Sequence, residues 1–506
     1  MAGKLDSKQD IIAYFLSKLE EKDLVITELQ KMIVSLQDTL TALKQTIEEQ
    51  TALIEQLNQT IAELREKKNK NSRNSSKPPS SDGPGKPNPK SLREKSGKSK
   101  GGQKGHEGST LFSIGKPDET IPHMPSQCLG CPHFQKCKGK ACPAEKRSIV
   151  DATIDIKVIE HQVLEVACPL QQNEMLRGAF PDYVKAPIQY GDNIQALVTV
   201  LNTEGALSIN RIHEIFGNVF QIPLSTGAIS QIVKRGANAV SSVYKDIKAK
   251  MEQAELSHFD ESGIRVDGKT KWVHVASNSE YTYLFLHEKR GSAAMDEKGT
   301  LPAFEGIAVH DCWKPYWKYP VTHAVCNAHL LRELNGVIEN HPEQTWAAHL
   351  KALLLDMHKA KEEAICIGED CLDIIKKWML ETEYDICILE GFRQNPLEAR
   401  PKNKKGKPKK GKVIALLERF QKLKASVCLF INNFKVPFSN NQAEQDIRFV
   451  KIKSKVSGCF RTDEGANDYL KLMSYISTAK KGGYNAFWAI QQAFAGRPHI
   501  ILEQGT

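Results

Sequence analysis

The N-terminal part of the chain repeats apolar residues in a heptad pattern, which is typical of a coiled coil. Placing position a at Ile12 makes all eight a positions apolar: Ile12, Leu19, Ile26, Ile33, Leu40, Ile47, Ile54 and Ile61. Six of the eight d positions are also apolar: Phe15, Leu29, Leu36, Leu43, Leu57 and Leu64. Isoleucine at a with leucine at d favours parallel two-stranded pairing, and no turn signal within 11–66 supports a helical hairpin. We therefore predict a leucine-zipper helix over 11–66, within a segment 1–68 that self-associates as a dimer or larger.

The apolar periodicity stops after this segment and returns as short amphipathic helices. Residues 69–120 are rich in Asn, Ser, Pro, Gly and Lys, a composition that cannot bury a core and predicts a flexible basic linker. Residues 181–250 are predicted to be helical, with helices at 207–216 and 225–235 on either side of a turn at Gly217. A Ser/Thr cap before the second helix is typical of a helix-turn-helix that binds DNA, although any helical hairpin has the same pattern.

A third pattern, of short apolar and alternating runs, begins near residue 254 and predicts strands. The predicted strands cover 254–260, 262–266, 271–277, 281–286, 306–311 and 322–326, and a helix follows at 328–338. Consecutive strands followed by a strand and helices are typical of an α/β or α+β core. We predict three segments here: the first part of the core at 251–340, a mostly helical insertion at 341–435, and the rest of the core at 436–506.

Positive charge is concentrated in two stretches of a chain whose net charge is +10. Residues 65–104 contain thirteen Lys/Arg against three Asp/Glu, and residues 400–412 contain eight Lys/Arg and no acid. This distribution indicates a polyanionic partner such as nucleic acid, although two solvated loops would carry the same charge. In the second stretch, Lys405-Gly406-Lys407-Pro408 resembles basic cores that lie in AT-rich minor grooves, and Lys409 and Lys410 follow it.

Cysteines form one cluster, in the segment 121–180. Its members are Cys128, Cys131, Cys137 and Cys142, with Cys168 further along the chain. A Cys-x2-Cys knuckle with two more thiolates or imidazoles binds one structural Zn²⁺, so Cys128 and Cys131 are the first two predicted ligands. Cys137 and Cys168 are our choice for the other two, with Cys142 as a competitor. Apolar runs long enough for a membrane span and a signal-peptide pattern are lacking, so we expect a reduced cytoplasmic setting without membrane contact.

Three acids lie where a metal-dependent active site can form. Asp260 and Asp311 end predicted strands, and Glu444 lies in the first turn of a late helix that Asn440 or Asn441 can cap. Converging carboxylates repel one another unless cations neutralise them, and their hard oxygens suit Mg²⁺ or Mn²⁺. Two such ions can support phosphodiester displacement. Arg448, Lys451 and Lys453 follow Glu444 and are candidates for DNA phosphate contacts, although Glu444 is also placed to pair with Arg448.

A set of short motifs, in this order along the chain, resembles the bacterial transposases of the insertion sequence 66 family. The motifs are Asp260-Glu261-Ser262, His310-Asp311, Cys326-x2-His329-x2-Arg332, Asn440-Asn441-x-Ala443-Glu444 and Gly458-Cys459-Phe460-Arg461. The zipper, the Asn- and Ser-rich start of the linker, the cysteine knuckle and the basic loop extend the resemblance over nearly the whole chain. Ser262 stands where many relatives carry threonine, which preserves the hydroxyl group.

The resemblance implies a ribonuclease H-like catalytic core with an Asp-Asp-Glu triad, here Asp260, Asp311 and Glu444. It implies a bacterial cytoplasmic enzyme that binds the ends of an insertion element and cuts and joins them. The partners that it implies are target DNA and accessory proteins encoded by the same element. Cys326 and His329 match a motif of the core that we interpret as structural, because two ligands alone do not make a zinc site. The alternatives are an inactive transposase and a non-catalytic dimeric regulator that contains zinc and binds DNA.

Overall fold

The computed structural model describes residues 8–75, 117–138, 140, 142–152, 154–168, 174–396 and 411–498. The strands are β1 Glu165–Cys168, β2 Glu174–Arg177, β3 Leu256–Val266, β4 Lys269–Ser277, β5 Thr282–His287, β6 Ile307–His310 and β7 Thr322–Val325. The helices up to the end of the sheet are α1 Lys8–Asn69, α2 Ser126–Leu129, α3 Phe134–Lys138, α4 Asp192–Asn202, α5 Ile209–Asn218, α6 Thr226–Ala239, α7 Ser241–Glu252 and α8 Ser292–Lys298. The later helices are α9 Asn327–Asn340, α10 Thr345–Cys366, α11 Ile374–Gln394, α12 Lys412–Lys422, α13 Lys424–Val427, α14 Leu429–Asn432, α15 Asn441–Ser457, α16 Asp463–Lys481 and α17 Ala486–Phe494.

The chain forms two compact units. The first consists of Met1–Pro89, His329–Ala360 and Asp373–Lys422, and the second of Lys90–Ala328, Lys361–Leu372 and Leu423–Thr506. The first unit is helical in its described part, and the second contains both sheets. The structure is therefore a mixed helix and sheet protein with a long N-terminal helix, as the sequence predicts at this level.

In the first unit, helix α1 runs without interruption through the predicted coil. Its heptad side chains are exposed along the whole length; Ile33 at a central a position and Leu36 at the next d position are 53% and 66% exposed. The first residues of the predicted linker are held in this unit, since the Asn74 amide donates to Glu339 Oε2 at 2.6 Å. A side chain at Gly336 would collide with the Asn74 carbonyl, because an added Cβ would lie 2.4 Å from that oxygen.

The second unit is built on a five-stranded mixed sheet with the strand order β5-β4-β3-β6-β7. Strands β3, β4 and β5 pair antiparallel, and β6 and β7 continue the sheet parallel to β3. The predicted strands match these bounds with one correction: 254–260 and 262–266 are parts of the single strand β3. The break was predicted where the carboxylates of Asp260 and Glu261 interrupt the apolar run, but the pairing with β4 continues through both residues.

The two faces of this sheet bury alternate residues against different helices, as the two-residue period of a strand requires. On one face, Ile264 of β3 and Val275 of β4 pack against Ile447 of α15 and Tyr469 of α16. On the other face, Phe259 belongs to a cluster that includes side chains of α7, α8 and α17. Even-numbered residues of β3 such as Asp260 are therefore on the α15 face, and odd-numbered ones such as Glu261 are on the other.

The predicted helix pair near the start of this unit is present as α5 and α6. Ser208 caps α5 by accepting from the Arg211 amide at 3.3 Å, and Ser225 caps α6 by accepting from the Ala228 amide at 3.1 Å. Ile212 and Phe216 of α5 pack with Ile229 and Ile232 of α6 in a separate apolar cluster. The cap of α6 and the apolar spacing are as predicted. The predicted turn at Gly217 is wrong, because α5 continues through Gly217 to Asn218 and the turn follows it. DNA binding by this pair stays a prediction.

Candidate active site

Asp260 and Asp311 are brought together by the parallel pairing of β3 with β6. The paired residues are Leu256 with Ile307, Ser257 with Ala308 and His258 with Val309, a constant offset along the two strands. The same offset places Asp311, directly after β6, opposite Asp260. Asp311 is oriented by its own loop, since its Oδ1 accepts from the Trp313 amide at 2.9 Å.

Glu444 approaches from helix α15, which packs on the Asp260 face of the sheet. The predicted position of Glu444 in the first turn is confirmed, because α15 begins at Asn441. Asn440 is the N-cap residue of this helix, as predicted, but its side chain makes no cap hydrogen bond. The Asn440 side chain turns to the sheet instead: Nδ2 donates to the Phe259 carbonyl at 2.7 Å, and Oδ1 accepts from His258 Nδ1 at 2.8 Å. Asn440 thereby joins the start of α15 to the residue before Asp260.

The three acids interact electrostatically at Asp260. The pKa of Asp260 is raised to about 8, first by burial and next by the charge of Glu261. The negative charges of Glu444 and Asp311 raise this pKa further, while the Glu261 amide, which donates to Asp260 Oδ1 at 2.9 Å, opposes the shift. A carboxylate with this environment is poised to exchange its proton for a cation.

The raised pKa predicts a pH dependence of stability in the metal-free protein. Asp260 keeps a proton in the folded state between about pH 4, where the unfolded chain releases it, and about pH 8. The free energy of unfolding should therefore fall as pH rises through this window and level off above it. Asp260→Asn should flatten the profile, whereas Asn at the exposed turn residue Asp267 should not. Urea unfolding in EDTA from pH 5 to 9 measures this; identical slopes for wild type and Asp260→Asn would contradict it.

Glu261 is held away from the other three acids by fixed partners on the opposite face of the sheet. Its Oε1 accepts from Arg290, and its Oε2 accepts from the Tyr316 hydroxyl at 2.5 Å. Burial raises the pKa of Glu261, Tyr316 and Arg290 oppose that shift, and the charge of Asp311 adds to it. Because side chains alternate along β3, Asp260 is the one of the two adjacent acids that faces α15. Glu261 faces the other side and accepts hydrogen bonds from Arg290 and Tyr316.

Helix α15 is fixed to the sheet a second time by a buried ion pair. Asp446 accepts from Lys481 Nζ at 2.7 Å, from Ser277 Oγ at 2.6 Å and from Thr282 Oγ1 at 3.0 Å. Burial alone would raise the pKa of Asp446, but Lys481, the Ser277 hydroxyl group and the Gln442 amide hold it below its usual value. Sequence analysis missed this pair, although Asp446 lies one residue before Ile447 on a stripe that was expected to be apolar.

Cys326 directly follows β7, and His329 lies in the first turn of α9. Burial, followed by the charge of Arg332, lowers the pKa of His329 to about 3, so its imidazole is neutral. Cys326 Sγ accepts from the Asn440 amide at 3.1 Å. The interpretation of Cys326 and His329 as a structural motif stays a prediction.

The basic residues after Glu444 have different environments. Arg448 and Lys451 are exposed on α15. Lys453 is 6% exposed, and its Nζ donates to the carbonyls of Asn202 and Leu207, both at 2.8 Å. Burial lowers the pKa of Lys453 to about 8. This placement gives Lys453 a role in joining α15 to the helices before the sheet, so it is not among the phosphate contacts proposed below. Lys405, Lys407, Lys409 and Lys410 lie outside the described residues.

The predicted zinc ligands stay a prediction. Cys128 lies in α2, Cys131 follows it and Cys137 lies in α3, all as free thiols. Cys168 is in β1, and its side chain is not described. Among the described side chains, these thiols belong to no group of three or more close metal ligands.

Comparison with protein families identifies the class of protein. A family model described as the Transposase IS66 family matches residues 187–468, more than half of the chain and the part that contains all three acids. The chain belongs to the IS66 transposase family. A second model, described as a family of unknown function (DUF6444), matches residues 17–111. A search of curated proteins gave no match.

Membership of the IS66 family confirms the resemblance inferred from the motifs and supports a transposase function in general. Such a protein acts on DNA, and transposases of the Asp-Asp-Glu class typically use a divalent metal ion. No helix in the described ranges has the length and apolar character needed to cross a bilayer.

Proposed function

We propose that this IS66-family protein is a DNA transposase that cuts and joins phosphodiester bonds at the ends of an insertion element. The proposed catalytic acids are Asp260, Asp311 and Glu444. The observation that carries the proposal is the electrostatic convergence at Asp260, whose pKa is raised by both of the other acids. A non-catalytic regulator gives no reason for acids from two strands and a helix to converge in this way.

The donor set fits Mg²⁺ or Mn²⁺, because carboxylate oxygens are the ligands that these ions prefer. Asp260, Asp311 and Glu444 would hold the ions, which supply activation of the attacking hydroxyl group and stabilisation of the leaving oxygen. The protein's own contribution is to keep the three carboxylates close in spite of their repulsion. Asn440 and Asp446 do this by fixing α15 to the sheet before and after Glu444.

DNA contacts are proposed for the exposed cations next to this site. Arg448 lies one helical turn after Glu444, and Lys451 lies about one turn further, both exposed to solvent. The basic loop with Lys405, Lys407, Lys409 and Lys410 adds non-specific attraction to the phosphate backbone. Strand order and the helices on both sheet faces support a ribonuclease H-like core that is interrupted by a helical insertion.

The remaining segments complete the proposed architecture. A structural Zn²⁺ held by Cys128, Cys131, Cys137 and Cys168 would stabilise the module at 121–180, with Cys142 as the alternative ligand. Zinc content of purified Cys131→Ser protein tests this, and a stoichiometry equal to that of wild type would remove the module from the proposal. The α5–α6 pair is the proposed helix-turn-helix.

Strand cleavage of duplexes that carry the element ends tests the proposed function. Full-length protein should nick or join labelled ends in Mg²⁺ or Mn²⁺ and leave them intact in EDTA. Duplexes of unrelated sequence serve as the DNA control. Failure to cleave with either metal, in a preparation that binds the same ends, would contradict the catalytic proposal and favour the non-catalytic regulator.

Self-association through α1 is the second part of the proposal, since its apolar heptad seam is exposed in a single chain. Aspartate at both Ile33 and Leu36 would place charges in the paired seam, and we expect dimer affinity to fall at least about a hundredfold, about 3 kcal/mol. Ser35→Asp, on the outward side of the same turn, should leave the dimer intact. Light scattering coupled to size-exclusion chromatography measures the mass; a doubly substituted protein that stays dimeric would contradict this role.

A further inference from the structure

Arg290 is held in one orientation by a buried carboxylate next to the proposed catalytic acids. Its Nε and Nη2 both donate to Glu261 Oε1, at 2.8 and 2.5 Å. The Glu261 side chain is 2% exposed, and its second oxygen is occupied by the Tyr316 hydroxyl. Because both carboxylate oxygens are fixed, the plane of the guanidinium group is fixed too.

Two tryptophan rings lie against this guanidinium group. Arg290 Cζ lies 4.2 Å from the ring centre of Trp313 and 5.0 Å from that of Trp272. These contacts restrict the guanidinium group further and leave its outer edge as the part that can bind a ligand. Within the described residues, Nη1 donates no hydrogen bond, and the Arg290 side chain is 41% exposed. An Arg edge with two neighbouring amino groups matches two oxygens of a phosphate.

The Arg290–Glu261 pair is connected to two of the proposed catalytic acids, Asp260 and Asp311. Glu261 directly follows Asp260 in β3, and the charge of Asp311 acts on Glu261. Trp313, whose ring lies against Arg290, donates its backbone amide to Asp311 at 2.9 Å. The Arg290–Glu261 pair is therefore joined through Trp313 to the loop that begins at Asp311, and through β3 to Asp260.

We propose that the open edge of Arg290 binds a backbone phosphate of the DNA strand that enters the active site. This inference rests on the proposed function. The carboxylate and the two rings remove the conformational freedom that a long side chain would lose on binding, so the contact is preorganised. Trp272 and Trp313 are positioning residues, because they hold the guanidinium group of Arg290 and do not themselves contact the phosphate.

The competing explanation is that Arg290 only neutralises the buried Glu261. The two roles differ in what a double substitution does. If neutralisation is the whole role, replacing Glu261 and Arg290 together by glutamines removes the need for it and restores DNA binding. If Arg290 binds phosphate, the same double variant lacks the contact and binds as weakly as Arg290→Gln.

The experiment is a titration of fluorescein-labelled element-end DNA in EDTA at several salt concentrations, read by anisotropy. EDTA keeps binding independent of the catalytic metal ions. Arg290→Gln and the double variant Glu261→Gln, Arg290→Gln should each bind about tenfold more weakly and show a salt slope smaller by about one. Lys248→Gln removes a cation that pairs with Glu252 on α7 and should change neither quantity.

An affinity and salt slope equal to wild type in the double variant would overturn the inference, as would an unchanged affinity in Arg290→Gln. If Arg290→Gln alone fails to fold, DNA binding by the double variant decides the outcome, because the double variant contains no unpaired buried carboxylate. Cleavage by the wild-type protein is measured separately. If the wild-type protein cleaves the element ends and the double variant binds them as tightly as wild type, the Arg290 proposal fails and the transposase proposal stands.

Discussion

Glu444→Gln is expected to lower the rate of strand cleavage at least about a thousandfold, about 4 kcal/mol of activation free energy, while leaving the protein folded. The substitution keeps the shape of the side chain but replaces an anionic oxygen donor by a neutral amide. It also leaves the hydrogen bonds of Asn440 and Asp446 in place, so the start of α15 should not move. The loss should therefore be in the chemical step, with DNA binding in EDTA close to that of wild type.

Glu464→Gln is the matched control for this experiment. Glu464 is also an acid in the first turn of a helix of the same unit, α16, and it is exposed. Its substitution should leave cleavage within about twofold of wild type, because no metal ligand is lost. Cleavage by Glu444→Gln at more than a tenth of the wild-type rate would remove Glu444 from the triad.

Asp446→Ala is expected to destabilise the protein by about 3–5 kcal/mol, a large part of the stability of an ordinary domain. The Asp446 and Lys481 side chains are 11% and 12% exposed, so removing the carboxylate leaves a buried ammonium group without its counter-charge. Lys481 would keep its contacts with the carbonyls of Asn278 and Tyr281, which offset only part of the loss. Urea denaturation of the two proteins measures the difference.

A surface ion pair formed by Lys480, the neighbour of Lys481, is the control for this stability measurement. Lys480 pairs with Glu204 at 2.5 Å, and its side chain is 46% exposed. Glu204→Ala should cost less than about 1 kcal/mol, because solvent screens the pair. Adding Lys481→Met to Asp446→Ala should recover part of the stability, since no unpaired charge is then buried. A loss below 1 kcal/mol for Asp446→Ala would show that the pair does not hold α15.

The local signals in the sequence were sufficient for helix α1, for the α5–α6 pair and for the strands of the five-stranded sheet, but they did not indicate β1 and β2. Period-two and heptad patterns predicted the sheet strands and α1, and the offset between β3 and β6 then brings Asp260 and Asp311 together. Glu444 was found because its helix start has a strong turn signal. These features depend on residues that are near one another in the chain.

The partners that hold the site were not predictable in this way, because they are distant in sequence. Asn440 was expected to cap its own helix, and only the fold shows that the sheet offers it better partners. Arg290 and Glu261 are brought together by the β4–β5 hairpin. Lys453 is different, because a signal was available: it lies three residues after Val450, on the helix face that Ala443, Ile447 and Val450 bury.

The attachment of α15 by Asn440 on one side of Glu444 and Asp446 on the other has a consequence for how such proteins can diverge. The position of the last acid is set by residues within four positions of it and by the sheet, rather than by the long segment that precedes it. Changes of length or of helices in the part of that segment that does not contact the start of α15 are therefore compatible with the same position of the carboxylate. Variation in DNA handling can accumulate there while the chemistry is inherited unchanged.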